Sequence, residues 1–387
     1  MAGLHTGRRR LLSGAAAAGG LLLASRRPVR AADEIVVGAT VSITGPLAAG
    51  GLPYYSSLQM AQDDINAAGG INGRPLRIAF EDTQASNSVA VNAYIKLVQQ
   101  YDPPFIFLSG YSIQNLAVEP QVAKAQIPAA YAGGAVAIAD HGNPWMFRIR
   151  PPDDVGARGI AAALVDRLKA RQIGIIHVQD DYGTASANTI AGLIKAAGGD
   201  IVAMESFSAR DNDFSAQLLS VKNKGAAAFV AVTYVRDGAL LLTQRRTLGI
   251  DIPMIGGQAY VLPSMLDLVT PEDFTNVYSM VDAVLGDAVS PASADFVKRF
   301  QERFKMRTDP FASCYYDAAM MMADGMRKVG PDKAKLRDYF AAIKDYKGVT
   351  RTFAADSRGD MAHNVALVSF VPGTKDIKLV GYYPSAS

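Results

Sequence analysis

Apolar residues in this chain fall in short runs, and most of these runs are separated by longer stretches with helical spacing. The first unit reads as a strand (Ile35 to Ile43), a Gly/Pro loop (Thr44 to Pro53), an amphipathic helix (Tyr54 to Ala68), a tight turn (Gly69 to Pro75) and a strand (Leu76 to Asp82). That is a βαβ unit, and ligands bind where its strands end. Further strands are expected at Phe105 to Ser109, Ile127 to Tyr131, Met146 to Ile149, Ile173 to Val178, Ile201 to Phe207, Ala226 to Thr233, Ile252 to Ile255 and Val277 to Val284. Helical runs lie between them at Ser86 to Tyr101, Asn115 to Ala125, Asp154 to Ala170, Thr184 to Ala197, Phe214 to Lys224, Arg236 to Leu248 and Leu262 to Leu268. Such alternation predicts an α/β fold with largely parallel sheets covered by helices on both faces. Residues 291 to 345 turn mostly helical, and Val349 to Tyr383 reads as short strands and turns.

Pro151-Pro152 interrupts the chain after the strand ending at Ile149, and Asp153 and Asp154 are cap candidates for the next helix. This is a natural place to pass from one domain to another. A length of 387 residues suggests two or three domains, and the 49% apolar and 19% charged composition supplies more than one core.

Residues 1 to 31 stand apart. Arg8, Arg9 and Arg10 precede a 14-residue apolar run, Leu11 to Ala24, and Val29-Arg30-Ala31 offers small residues where a signal peptidase reads. The run falls short of the roughly 20 residues that span a bilayer, so it reads as a cleaved, twin-arginine-like export signal. Six of the 39 basic residues and none of the 36 acidic ones lie there, so the mature chain keeps 33 basic residues and a slightly negative balance. That gives no ground for nucleic-acid binding. The single cysteine, Cys314, excludes an internal disulfide.

The wording of the first unit, TGP after the strand and DINAAGGINGRPL at the end of the helix, resembles the periplasmic solute-binding proteins of branched-chain amino-acid ABC importers. The similarity runs along essentially the whole mature chain and is specific again at Gln179 to Gly183. It implies a type I periplasmic binding fold: two Rossmann-like lobes, residues 34–150 with 282–350 and residues 151–281 with 351–387, joined by three hinge crossovers that close around a ligand. It also implies a periplasmic monomer that does no chemistry, needs no cofactor, and hands a small molecule to permease and ATPase subunits in the membrane.

Ser112 follows a strand and opens a helix, where a hydroxyl and free N–H groups suit an anion. The resemblance assigns it a ligand carboxylate, with backbone contacts from the Gly133-Gly134-Ala135 loop; Ala135 stands where the family often has a threonine. Tyr182 and Tyr234 match tyrosines on the opposite lobe. The family's amino-acid binders pair the ligand ammonium with a glutamate where this chain has Gln258, which carries no charge. Leaving a desolvated ammonium unpartnered costs about 3 to 5 kcal/mol, enough to move a micromolar site to about the millimolar range. Gly50 replaces an aromatic residue over the ligand, which predicts a wider cleft. Tyr111, Tyr131, Tyr182, Tyr234 and Tyr260 all fall at expected strand ends, where some could hold an aromatic ring while others only pack the lobes. The combination points to a non-amino, aromatic carboxylate, with branched-chain amino acids second and a ligand sensor for a separate signalling partner third.

Enzymatic signals are weak. Gly110-Tyr111-Ser112-Ile113-Gln114 approaches a nucleophile elbow but ends on Gln114, and His141, His177 and His363 have no metal-like spacing.

Overall fold

The computed structural model describes residues 34–45, 48–208, 210–286 and 289–384, so the export signal expected at 1–31 lies outside the described residues. The chain begins β1 (Ile35–Val41), α1 (Ala48–Ala67), β2 (Leu76–Asp82), α2 (Asn87–Tyr101), β3 (Ile106–Phe107), α3 (Ser112–Ala125), β4 (Ala129–Tyr131), α4 (Val136–Asp140) and β5 (Met146–Arg148). These strands form one sheet in the order β2-β1-β3-β4-β5, every pair parallel. Strand β1 is buried at all but one position, as a parallel strand covered on both faces must be. From β1 the chain moves outward to β2 and then returns to the other side for β3. That reversal leaves a crevice at the carboxyl ends of β1 and β3.

The second sheet repeats this device. It is built from α5 (Asp153–Ala162), β6 (Gln172–Val178), α6 (Asp181–Ala196), β7 (Asp200–Phe207), α7 (Ser215–Asn223), β8 (Ala228–Val232), α8 (Val235–Thr247), β9 (Met254–Gly256), α9 (Pro263–Leu266) and β10 (Val277–Val281). Helices α10 (Pro291–Phe304), α11 (Pro310–Val329) and α12 (Lys333–Ala341) follow, then the short pair β11 (Tyr346–Lys347) and β12 (Thr352–Phe353), and finally β13 (Asn364–Phe370) and β14 (Ile377–Pro384). The order is β14-β13-β10-β9-β8-β6-β7, parallel except that β13 runs antiparallel to both β10 and β14. Its switch point lies between β6 and β8. The expected α/β architecture with mostly parallel sheets is therefore present.

Several local expectations are corrected. Helix α1 starts at Ala48, inside the stretch expected as a loop, and carries Pro53 within it. Proline removes one backbone bond there, but the helix packs along α11 and buries Tyr54, Leu58 and Ile65 in the first core. Gly51 makes the early start possible: a Cβ there would lie 1.9 Å from the Ser42 carbonyl oxygen at the end of β1. Asp153 and Asp154 do not cap α5: Pro152 occupies the N-cap position with no side-chain cap bond, and the two acids lie in the first turn, where the helix dipole favours them. The single helix expected to Ala170 passes at Ala163–Arg167 into a π-helical turn.

The third crossing also moves. Phe353, Ala355 and Met361 are buried in the core that β1, α1 and α11 share, whereas Val365 belongs to the core under β6 and α5. The chain therefore passes to the second sheet after Met361 rather than near Thr350. The first crossing, after Ile149, is tied to the third by Arg148, which is fully buried and lies 3.1 Å from Asp360. It is tied to the second by Arg150, whose Nε and Nη2 donate to Asp282 at 2.6 and 3.0 Å.

Helix α11 carries two buried carboxylates. Asp309 caps it by accepting from the Ala312 N–H at 2.8 Å, and burial pushes its carboxyl up to about 6. Asp317 accepts from the Val349 N–H at 2.8 Å, and burial pushes its carboxyl up to about 7. Both values exceed the unfolded value of roughly 4. The folded chain then holds more protons than the unfolded chain between about pH 4 and 7, and stability is expected to fall as pH rises through that window. Asp309→Asn keeps the cap acceptor without the charge. It should raise the urea midpoint at pH 7 and flatten the profile between about pH 4 and 6; an unchanged midpoint would show that the carboxyl is not held above its ordinary value.

Candidate functional site

The two switch points bring the expected site residues to the carboxyl edges of the sheets. On the first sheet, Ser112 is the opening residue of α3, and the preceding Tyr111 supplies no side-chain cap to the helix. The Gln114 N–H donates to the Tyr111 carbonyl at 3.1 Å, and the N–H groups of Ser112 and Ile113 are the ones that suit an anion. Ser112 Oγ accepts from the Ala135 N–H at 3.1 Å, so the hydroxyl proton remains to donate. The Gly133 N–H donates to Asn115 Oδ1 at 3.0 Å, and Asn115 in turn holds the Ser109 carbonyl at 2.9 Å. The backbone N–H groups of Gly133 and Ala135, expected as ligand donors, are therefore engaged within the protein. The loop is rigid for a further reason: Arg148 donates to the Gly134 and Ala135 carbonyls at 2.9 and 3.0 Å.

Gly134 lies beneath two charged side chains. A Cβ there would be 1.9 Å from Asp153 Oδ1 and 2.2 Å from Arg150 Nη1. Sequence reasoning missed both residues as site components. Asp153 registered only as a cap candidate, and a lone arginine before Pro-Pro carries no periodic or motif signal.

The wider cleft expected at Gly50 is also corrected. A Cβ at Gly50 would lie 2.4 Å from Tyr111 Oη, so the phenol of Tyr111 occupies the space beside the glycine. The aromatic group is supplied from α3's edge rather than from α1.

On the second sheet, Tyr182 follows β6 and Tyr234 follows β8, one on each side of the switch point. Tyr182 lies in the first turn of α6, not in a free loop, because Asp180 caps that helix by accepting from the Gly183 N–H at 2.7 Å. The other Asp180 oxygen accepts from Tyr234 Oη at 2.9 Å. The two rings lie 5.4 Å apart, and both residues are exposed, at 42% and 47%. Desolvation raises both phenols above their ordinary range, and for Tyr182 the charges of Asp153 and Arg150 are felt as well. Tyr131 and Tyr260, expected as possible ring holders, are instead packing residues. Tyr131 is buried and accepts from Arg148 Nε at 3.2 Å, and Tyr260 is buried and bonded to Thr233 at 3.0 Å.

Gln258 follows β9. Its Oε1 accepts from the Asp282 N–H at 2.8 Å, and its Nε2 is enclosed without a partner among the described residues. The side chain thus turns its one oxygen toward the second crossing and carries no charge to pair with an ammonium. Ser112 has a backbone N–H against its oxygen rather than an imidazole, and Gln114 is turned inward to donate to Thr83. Among the described residues, no group of three or more His, Cys, Asp or Glu could hold a metal, and no helix is long and apolar enough to cross a membrane.

The contact between Gly50 and Tyr111 can be measured. Gly50→Ala is expected to cost about 1 to 3 kcal/mol by overpacking against the phenol oxygen. The cost should shrink in a Tyr111→Phe background, and a double-mutant cycle read by denaturant unfolding gives the coupling. Additive effects would mean that the phenol does not fill this space.

Comparison with known proteins places these features. Residues 34–375 match the periplasmic binding protein family. Leu/Ile/Val-binding protein homolog 8 of Brucella abortus (strain 2308) is 27% identical over 286 residues, 70% of each chain. A leucine-, isoleucine-, valine-, threonine- and alanine-binding protein of Pseudomonas aeruginosa is 25% identical over 86% of this chain and 88% of its own. The branched-chain amino acid transporter substrate binding protein LivJ from Streptococcus pneumoniae, solved with isoleucine, superposes with a TM-score of 0.79 at 24% identity, covering 90% of this chain and 99% of that one. An ABC transporter substrate-binding protein from Desulfitobacterium hafniense, solved with leucine, gives 0.76 at 20% identity, covering 90% and 100%. These relatives and neighbours are binding proteins rather than enzymes. With a family match that spans residues 34–375, nearly all of the described chain, this chain belongs to the periplasmic binding protein family.

Proposed function

We propose that the chain is the extracytoplasmic, monomeric solute-binding component of an ABC importer and that it captures a small carboxylate without an α-amino group, an aromatic acid being the favoured class. The permease and ATPase are its membrane partners. The carboxylate end is met by the Ser112 hydroxyl and the uncapped start of α3, above the Gly133-Gly134-Ala135 loop. Tyr182 and Tyr234, two exposed rings at the facing switch point, supply the surface for an apolar or aromatic body.

The observation that carries the reading is at Gln258. An ammonium is best met by a charged acceptor, whereas Gln258 is neutral and its single oxygen is turned to the Asp282 N–H. The carboxylate of Asp180 is held by Gly183 and Tyr234, one on each oxygen. A branched-chain amino acid is the second reading. Asp153 favours it, because this carboxylate is 41% exposed over Gly134 and, among the described residues, is paired with Arg150 alone. The names of the relatives point the same way.

Calorimetric titration of the purified mature protein separates the two. Benzoate and phenylacetate are expected to bind at least about 100-fold more tightly than leucine or phenylalanine, the factor that an unpartnered ammonium implies. Tight leucine binding with no response to the acids would reverse the assignment.

A further inference from the structure

The first crossing holds a charged group that the reading above does not use. Arg150 is only 14% exposed and makes a fork: Nε and Nη2 donate to Asp282, and Nη2 also reaches Asp153 at 3.2 Å. Its guanidinium carbon lies 5.5 Å from the centre of the Phe311 ring, which holds the plane of the group. Nη1 is the remaining nitrogen. It has no hydrogen-bond partner among the described residues, and it rests against the bare α-carbon of Gly134, 2.2 Å from where a Cβ would be. Gly134 is flanked by Ala135, whose N–H is on Ser112 Oγ.

We infer that Arg150 is a specificity-determining anchor of the cleft, with Nη1 and the Ser112 hydroxyl together receiving the ligand carboxylate over Gly134. Two features support this. First, Ala135 has no hydroxyl and the Gly133 and Ala135 N–H groups are already engaged, so the loop itself offers few donors. A guanidinium compensates with a charged donor in fixed orientation. Second, Gly134 is the residue type that lets it approach, since any side chain would collide with both Arg150 and Asp153.

The same arrangement links ligand charge to the crossings. Arg150 is bonded to Asp282, whose N–H is held by Gln258 and whose carbonyl accepts from Arg351. An anion seated on Nη1 competes with Asp153 for the guanidinium while leaving Asp282 in place. Asp153 therefore acts as an internal competitor, setting how strongly an acid must bind.

This inference rests on a carboxylate entering the proposed cleft, but its test does not depend on which acid enters. The probes are two acid and amide pairs, benzoate with benzamide and leucine with leucinamide, titrated calorimetrically against wild type, Arg150→Lys and Asp153→Asn. Lysine keeps a cation for Asp282 but loses the second donor arm. The acid-over-amide preference should fall at least tenfold in folded Arg150→Lys protein and should rise severalfold in Asp153→Asn. An unchanged preference in a folded Arg150→Lys protein would confine Arg150 to holding the crossings and overturn the inference. If Arg150→Lys does not fold, Asp153→Asn decides: an unchanged preference there overturns it equally. Tighter binding of leucine than of benzoate by wild type would instead defeat the proposed ligand class, and the leucine pair would still report on Arg150.

Discussion

Two arginines two residues apart hold this molecule's crossings together. Arg148 ends β5 and Arg150 opens the first crossing, and they take Asp360 beside the third and Asp282 beside the second. Burying a guanidinium is costly unless a carboxylate and further acceptors surround it. Here Arg148 also has Tyr131 Oη and the carbonyls of Gly134 and Ala135, so its position fixes the loop of the candidate site. The crossings between the two sheets and the loop of the candidate site are thus positioned by the same charges, so a change in one is felt by the other.

The cleft shows how close packing changes the meaning of a residue. Gly50 in the sequence reads as an absent aromatic, but in space the Tyr111 phenol stands beside it. Gly133 and Gly134 read as backbone donors, yet their main role is to let Asn115, Asp153 and Arg150 come near. Gln258 reads as a glutamate without its charge, and its geometry strengthens that reading, since the one acceptor it owns faces the second crossing.

The positions of Ser112, Tyr182, Tyr234 and Gln258 were legible because each follows an apolar run at a strand end, and strand ends in parallel sheets converge on one edge. Arg150 and Asp153 were not, because nothing in linear order says that a charge beside two prolines will turn back over Gly134. Which of the strand-end tyrosines only pack, Tyr131 and Tyr260, was not legible for the complementary reason. A strand-end tyrosine has the same sequence signature whether its hydroxyl faces a ligand or, as here, Arg148 or Thr233. The helix start at Ala48 was hidden by Gly50, Gly51 and Pro53, whose low helix propensity is outweighed by packing on α11.

Sequence alone determined the α/β class, the sequence of elements, the two crevices and the family, since these follow from periodicity and local wording that need no partner. Tertiary structure decided which N–H groups are already engaged, which tyrosines remain exposed, where the third crossing falls and which charges overhang the site. Those depend on contacts between residues far apart in the chain. The Arg150–Asp282 and Arg148–Asp360 pairs are the clearest case, because each acquires its meaning only when the crossings are brought side by side.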